Sequence, residues 1–350
     1  MKLSSILLTI ISRMDGERTI YNGLHLIRGK KSGQTLQDVE YYNLKAFFGI
    51  WPKLGTDLYD DAVNYLIKSG YLYIEENLIV KVTEKGKRFT STLPTYQFNG
   101  WDYRGNEVTF FSRLSLTIQT ISNFRVGSKL FIPTEKDYEV QTFVKNILYK
   151  QPINKPAFSI EIMEELQHYI ESSRMVDLHK VILLHRLGGY GVTGWTWNQL
   201  SESLKLNTVS IRLYFIEGLH ILLDALEMSQ EAHFLRKLTY NIKVSTYLTD
   251  SAATTKRYFE GGLTMTAIAE IRKLKMSTIE DHFAEMSIND SNFPLNDFVE
   301  NEDVQAVIKM AYYLQTRRLR LLKNEFDHLT YFQIRLILGA MNGGGEDGNK

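Results

Sequence analysis

The residues best suited to chemistry gather between positions 272 and 282. Arg272, Lys273 and Lys275 bring cations close together, and Ser277, Thr278 and His282 follow with hydroxyl and imidazole groups. Cations and short polar side chains of this kind grip phosphate oxygens and base edges, which is the chemistry of nucleic-acid contact. Arg317, Arg318, Arg320 and Lys323 form a second basic set behind Tyr312 and Tyr313. On one long helix they could hold a phosphate backbone while the tyrosines stack on bases; a solvated helix face is the other reading. Lys85, Lys87 and Arg88 make a third set. Against these stand Glu280, Asp281 and Glu285, with no Lys or Arg between Met276 and Met286. Carboxylates repel a polyanion, so this stretch is equally a surface for docking a protein. Trp195 and Trp197, beside glycines, either anchor an interface, where tryptophan is enriched, or pack in a core.

Several enzyme chemistries are missing. Gly29-Lys30-Lys31-Ser32 lacks the upstream glycine of a phosphate-binding loop and has its hydroxyl displaced by a residue, so the chain is not a nucleotide-driven motor. Gly188-Gly189-Tyr190-Gly191 lacks the lysine and hydroxyl as well and reads as a connector. The histidines form no His-Glu-x-x-His pair, and no Gly-x-Ser-x-Gly elbow occurs. Zero cysteines remove disulfides, thiol catalysis and thiolate metal sites, in keeping with a reducing cytoplasm. The expectation is a non-enzymatic protein without cofactor or metal. Lys+Arg number 41 and Asp+Glu 40, so nucleic-acid attraction must come from local patches.

The elements that must position these residues are helical. With 44% hydrophobic and 23% charged residues the chain has the composition of a folded protein. Met1 to Arg13 mimics a secretion signal, but Ile6, Leu7, Ile10, Ile11 and Met14 fall at helical spacing and Arg13 and Asp15 arrive early, so a first core helix is expected. No later stretch approaches the roughly 20 apolar residues of a membrane span. Pro152 and Pro156 mark one border, and the Thr/Asp/Ser cluster from Tyr247 to Ser251 marks a softer one. These borders give an N-terminal winged-helix-like domain (1–150), a central helical domain (155–246), a helix-turn-helix domain (251–341) and a flexible tail (342–350).

One theme recurs: helix, short polar turn, second helix. Asp57 to Lys68 reads as a helix with Leu58, Ala62, Tyr65 and Leu66 on one face. Tyr71 to Ile74 and Leu78 to Val82 read as a hairpin, followed by another helix start at Thr83. This is either a winged helix or a hairpin covering a helical core. Trp197, Leu200 and Leu204, the turn Lys205-Leu206-Asn207, and Val209 to Leu223 give the second instance, with Asn207 able to cap. In the third, Ile268 and Ala269 pack inward, Arg272 to Lys275 turns with Leu274 as a plug, and Ser277 and Glu280 form a capping box. The fold class is therefore mainly α and multi-module, with one small β-hairpin.

Gly262 to His282, Gly-Leu-Thr-Met-Thr-Ala-Ile-Ala-Glu-Ile-Arg-Lys-Leu-Lys-Met-Ser-Thr-Ile-Glu-Asp-His, resembles the helicase helix-turn-helix domain. That domain lies at the C-terminus of some RecQ-type DNA helicases and in the bacterial YpbB-like proteins. Leu295-Asn296-Asp297-Phe298-Val299 fits the segment that follows it. The rest of the chain, including Gly29 to Asp38, is similar to the YpbB-like proteins. Members of this family tend to be encoded beside a RecQ-type helicase. The resemblance thus implies a helicase partner and an accessory role on DNA in repair, recombination or replication restart. A standalone helix-turn-helix transcription regulator is the alternative, which the acidic stretch from Met276 to Met286 disfavours. Over 251–341 there are 11 Lys+Arg against 12 Asp+Glu, so the domain is not basic overall.

Overall fold

Apolar residues recurring every three or four positions decide where this chain becomes helical, and a computed structural model describes the outcome for residues 2–229, 233–244, 248–314 and 316–343. In chain order the first helices are α1 (Lys2–Arg13), α2 (Asn22–Ile27), α3 (Gly33–Tyr41), α4 (Thr56–Lys68), α5 (Glu84–Thr90) and α6 (Gly100–Tyr103). Next come α7 (Glu107–Arg125), α8 (Tyr138–Leu148), α9 (Pro156–Ser172), α10 (Asp177–Arg186), α11 (Trp197–Leu204) and α12 (Thr208–Met228). The last are α13 (Asp250–Glu260), α14 (Met265–Arg272), α15 (Met276–Asn289), α16 (Asn301–Tyr313), α17 (Leu319–Glu325) and α18 (Tyr331–Gly343). Strands β1 (Leu72–Ile74) and β2 (Val80–Val82) pair antiparallel in the register Leu72 with Val82 and Ile74 with Val80. The fold is mainly α, with this hairpin as the sheet among the described residues. No helix is long and apolar enough to cross a membrane. The tail expected to be flexible lies outside the described residues from position 344, as does Tyr247.

Two compact units result. The first takes 1–8, 46–68 and 89–244; the second takes 9–45, 69–88 and 245–350. The border expected at Tyr149 to Ala157 falls inside the first unit, where Leu148 and Phe158 enter one core. Pro156 there serves as a helix starter, since its fixed φ and missing N–H suit the first turn of α9. Helix α4 belongs to the first unit and the hairpin to the second.

The first unit is built around α12. Its Ile211, Leu213, Phe215, Ile216, Leu219, Leu222, Leu223 and Leu226 are all buried, the pattern of a helix surrounded by others. α7, α9, α10 and α11 pack on it. On α4 the buried stripe is Tyr59, Ala62, Val63 and Leu66, while Leu58 and Tyr65 are exposed. Ala62 and Leu66 are thus buried as expected, while Tyr59 and Val63 take the places expected for Leu58 and Tyr65. Ile6, Leu7, Ile10 and Ile11 of α1, and Met14 just after it, are buried as their spacing requires.

The second unit centres on α15 and α18. A Cβ on Gly339 of α18 would collide with the Ser287 hydroxyl of α15 and press on Ile288 Cγ1 at 3.0 Å, so a larger residue here must displace buried side chains where these two helices meet.

Candidate nucleic-acid interface

The geometry of the segment from Thr264 to Ile288 follows from its caps and apolar plugs. Thr264 caps α14 by accepting from the Ala267 amide at 3.3 Å. Ile268 is fully buried, with Ala269 packed beside the same core. α14 ends because Lys273 takes a left-handed backbone (φ 53°), which lets Leu274 N–H reach Ala269 O at 3.0 Å. Leu274 packs against the core and Lys275 returns the chain to extended geometry. α15 then begins at Met276.

This start differs from the expected capping box. Lys275 is the N-cap and offers no side-chain acceptor, so Ser277 lies inside the first turn and cannot cap Glu280. Thr278 and Ile279 N–H bond to Lys275 O at 2.9 and 3.2 Å, while the amides of Met276 and Ser277 find no acceptor among the described residues. The exposed N-terminus of α15 is thus open, and it carries the partial positive charge of the helix dipole.

Two of the expected DNA contacts turn inward. Arg272 donates to Ser251 O at 2.8 Å, to Ser251 Oγ at 3.0 Å and to Thr255 Oγ1, tying α14 to α13. His282 is buried, with Nδ1 2.8 Å from Thr255 Oγ1. Burial, with Arg272 adding to it, holds the imidazole below the usual histidine range. Glu285, expected at a partner interface, is buried too and accepts from the backbone amide and hydroxyl of Thr249. α13, α18 and α3 pack along the rest of α15.

What stays at the surface is compact. Lys273, Lys275, Met276, Ser277 and Asp281 are exposed, with Thr278 and Glu280 half-buried. Asp281 is not a free anion, because Arg335 of α18 reaches it at 2.6 Å. Of the three carboxylates that should repel DNA, one is buried and one is paired, which leaves Glu280. Sequence reasoning missed Arg335; no local pattern connects it with Asp281, and only the packing of α18 on α15 brings them together.

The other basic sets belong to other elements. Arg317 to Lys323 do not share one helix: α16 ends at Tyr313, and Arg318 caps the separate short α17. The break is held by Glu17, which accepts from the Thr316 hydroxyl and the Arg317 amide. The Arg317 guanidinium sits 5.5 Å from the Tyr312 ring centre, so that tyrosine stacks on an arginine of its own chain. Arg320 is exposed on α17, and Lys323 donates to Asp327 O. Lys85, Lys87 and Arg88 lie on α5; Lys85 donates to Ser69 O at 2.8 Å and Lys87 pairs with Glu84 at 3.1 Å. Trp195 and Trp197 pack against the first unit's core, Trp195 edge-on to His185 and Trp197 edge-on to Phe215.

Comparison with known proteins agrees with this geometry. A family profile described as a helix-turn-helix domain matches residues 251–338, the stretch from α13 into α18. Over 342 residues the chain is 28% identical to Protein YpbB of Bacillus subtilis (strain 168), covering 95% of this chain and 96% of that protein. No solved structure matches it. Residues 251–338 thus carry a helix-turn-helix domain, in a chain similar to YpbB along nearly its whole length.

Proposed function

We propose that this protein is a non-enzymatic accessory factor that touches DNA through the α14–α15 turn and works with a RecQ-type helicase. The observation that carries the DNA part is the open, exposed N-terminus of α15. Its free amides, Ser277 hydroxyl and dipole favour a phosphate, and Lys273 and Lys275 add charge on the same edge. In a helix-turn-helix the second helix enters the groove by its N-terminal residues, and here those are the ones left exposed. The small number of cations and the remaining Glu280 fit weak, salt-sensitive contact, for which a partner supplies the rest of the affinity. The helicase is what the similarity to the YpbB-like family implies, and a cytoplasmic, nucleoid-associated location goes with it.

Fluorescence anisotropy of labelled forked DNA across a salt series, with protein alone, helicase alone and both, tests this reading. The expected result is weak binding alone that steepens with falling salt, and a tighter or altered complex when both are present. Independent elution of the two proteins at micromolar concentration, together with unchanged anisotropy in the mixture, would remove the helicase part.

A further inference from the structure

The first unit contains a cavity that nothing in the DNA reading uses. It measures about 650 Å³ and lies between α7, α11, α12 and the glycine-bearing loop that follows α10. That volume is within the range of small-molecule sites. Its apolar walls include Phe111, Phe215 and Trp197, and Ser112 and Ser115 contribute hydroxyls.

Cations outnumber carboxylates in its lining by three to two. Arg186 and Arg212 both lie over the Trp197 indole, with guanidinium carbons 4.3 and 5.1 Å from the ring centre. Neither makes an ion pair among the described residues. Arg186 is fixed by a 2.6 Å hydrogen bond from Nη1 to Trp195 O, while its buried Nε has no acceptor. Burial first and then the nearby Arg212 charge lower the Arg186 pKa. Lys53 adds a third cation at the same cavity. Two carboxylates share the lining: buried Glu107, whose Oε2 lies 3.3 Å from His220 Nε2 with neither atom hydrogen-bonded, and Glu135, which accepts from the amides of Lys136 and Asp137.

Two like charges against one indole repel each other, an anion placed beside both offsets that repulsion, and planar guanidiniums match phosphate oxygens in pairs. Gly194 holds this arrangement in place: its Cα lies so close to Arg186 O that no Cβ fits between them. We propose that this cavity binds a small phosphate ester with a flat apolar body, of the class of a nucleoside monophosphate, its phosphate between Arg186 and Arg212 and its ring along Phe111 and Phe215. The site lies wholly in the first unit, so it stands or falls separately from DNA contact by α15.

Calorimetric titration of the full chain with AMP, inorganic phosphate and a thymidine decanucleotide tests it. AMP should saturate with Kd below about 1 mM at physiological ionic strength, and inorganic phosphate should bind at least about tenfold more weakly because it leaves the apolar walls empty. Arg212→Gln should weaken AMP at least about tenfold with thermal stability unchanged, since Arg212 is exposed and removing one of two guanidiniums forfeits a charged hydrogen bond; Lys309→Gln on α16 should leave AMP binding as it was. Should Arg212→Gln misfold, the indole N–H resonance of Trp197, assigned through Trp197→Phe, gives a second readout and should move with AMP while that of buried Trp101 stays. The proposal is overturned by absence of saturable AMP binding, by AMP binding unaltered in Arg212→Gln, by a stationary Trp197 signal, or by Arg212-dependent binding of the decanucleotide without AMP binding.

Discussion

The segments α11–α12 and α14–α15 are built on the same local plan and end in opposite situations. Each first helix is capped by a threonine, Thr196 or Thr264, and stops at a lysine in left-handed geometry, Lys205 at φ 52° or Lys273 at φ 53°. Each turn then inserts a leucine, Leu206 or Leu274, against its unit's core. The second helices diverge. Asn207 closes the start of α12 by accepting from Ser210 N–H at 2.8 Å, and α12 runs on as the centre of the first unit. Lys275 leaves the start of α15 open, and its first turn remains at the surface while the rest is packed away. A helix-turn-helix is thus first a way to pack two helices around a plug. Whether it offers a surface to DNA depends on the cap and on what covers the second helix.

The largest effect is expected at Glu217 on α12. This carboxylate is buried, bonded to Lys2 and to the Gln97 amide at 2.8 Å, with His179 Nε2 3.2 Å away. Although burial opposes its charge, His179 and Lys2 hold its pKa down to about 2. Glu217→Gln strands the buried Lys2 ammonium and should cost about 3–5 kcal/mol in chemical denaturation. The sign follows from the lowered pKa. The stability Glu217 provides is full above its ordinary value of 4.5 and is lost as pH falls from there toward 2. An acid limb that survives in the variant would show that other groups carry it.

In the second unit, Gly339→Ala should cost about 1–3 kcal/mol by forcing α18 from α15. Melting temperature reads this, and a neutral result would mean that the two helices separate at little cost. A smaller effect is expected at Arg272. Arg272→Ala removes its bonds to Ser251 and Thr255 and should cost about 1–2 kcal/mol. His282 supplies a related pH signal. Because its folded pKa lies below the ordinary 6.5, the unfolded chain takes up the proton first, and stability should fall as pH drops through that value. His282→Gln should flatten that slope in a melting-temperature series.

The smallest effects sharpen the shared plan. Lys205→Gly and Lys273→Gly each relieve a left-handed backbone, and each should be neutral to stabilising by up to about 1 kcal/mol. Opposite signs at the two positions would mean that the turns are alike only in outline.

Much of this plan was legible in the sequence because it is local. The Leu274 plug, the burial of Ile268, the Asn207 cap and the hairpin all follow from spacing and side-chain type within a few residues. What was not legible depends on distant partners. Nothing near Asp281 points to Arg335, nothing near Thr316 points to Glu17, and nothing in the run from Met276 to Met286 says that Glu285 turns inward to Thr249. The capping box at Ser277 failed for a local reason: Lys275, in extended geometry, let α15 begin at Met276 and placed Ser277 past the cap. Arg186 and Arg212 lie far apart in sequence, and only the packing of α10, α11 and α12 sets both on Trp197.

Charge reversal at corresponding positions tests whether the two turns differ in access to DNA as proposed. Anisotropy of labelled duplex DNA at low salt would compare Lys205→Glu with the double variant Lys273→Glu, Lys275→Glu. The double variant should lose at least about tenfold in affinity and its log–log salt slope should fall by about 2, while Lys205→Glu keeps both. Equal binding by all three proteins, or a loss confined to Lys205→Glu, would contradict it.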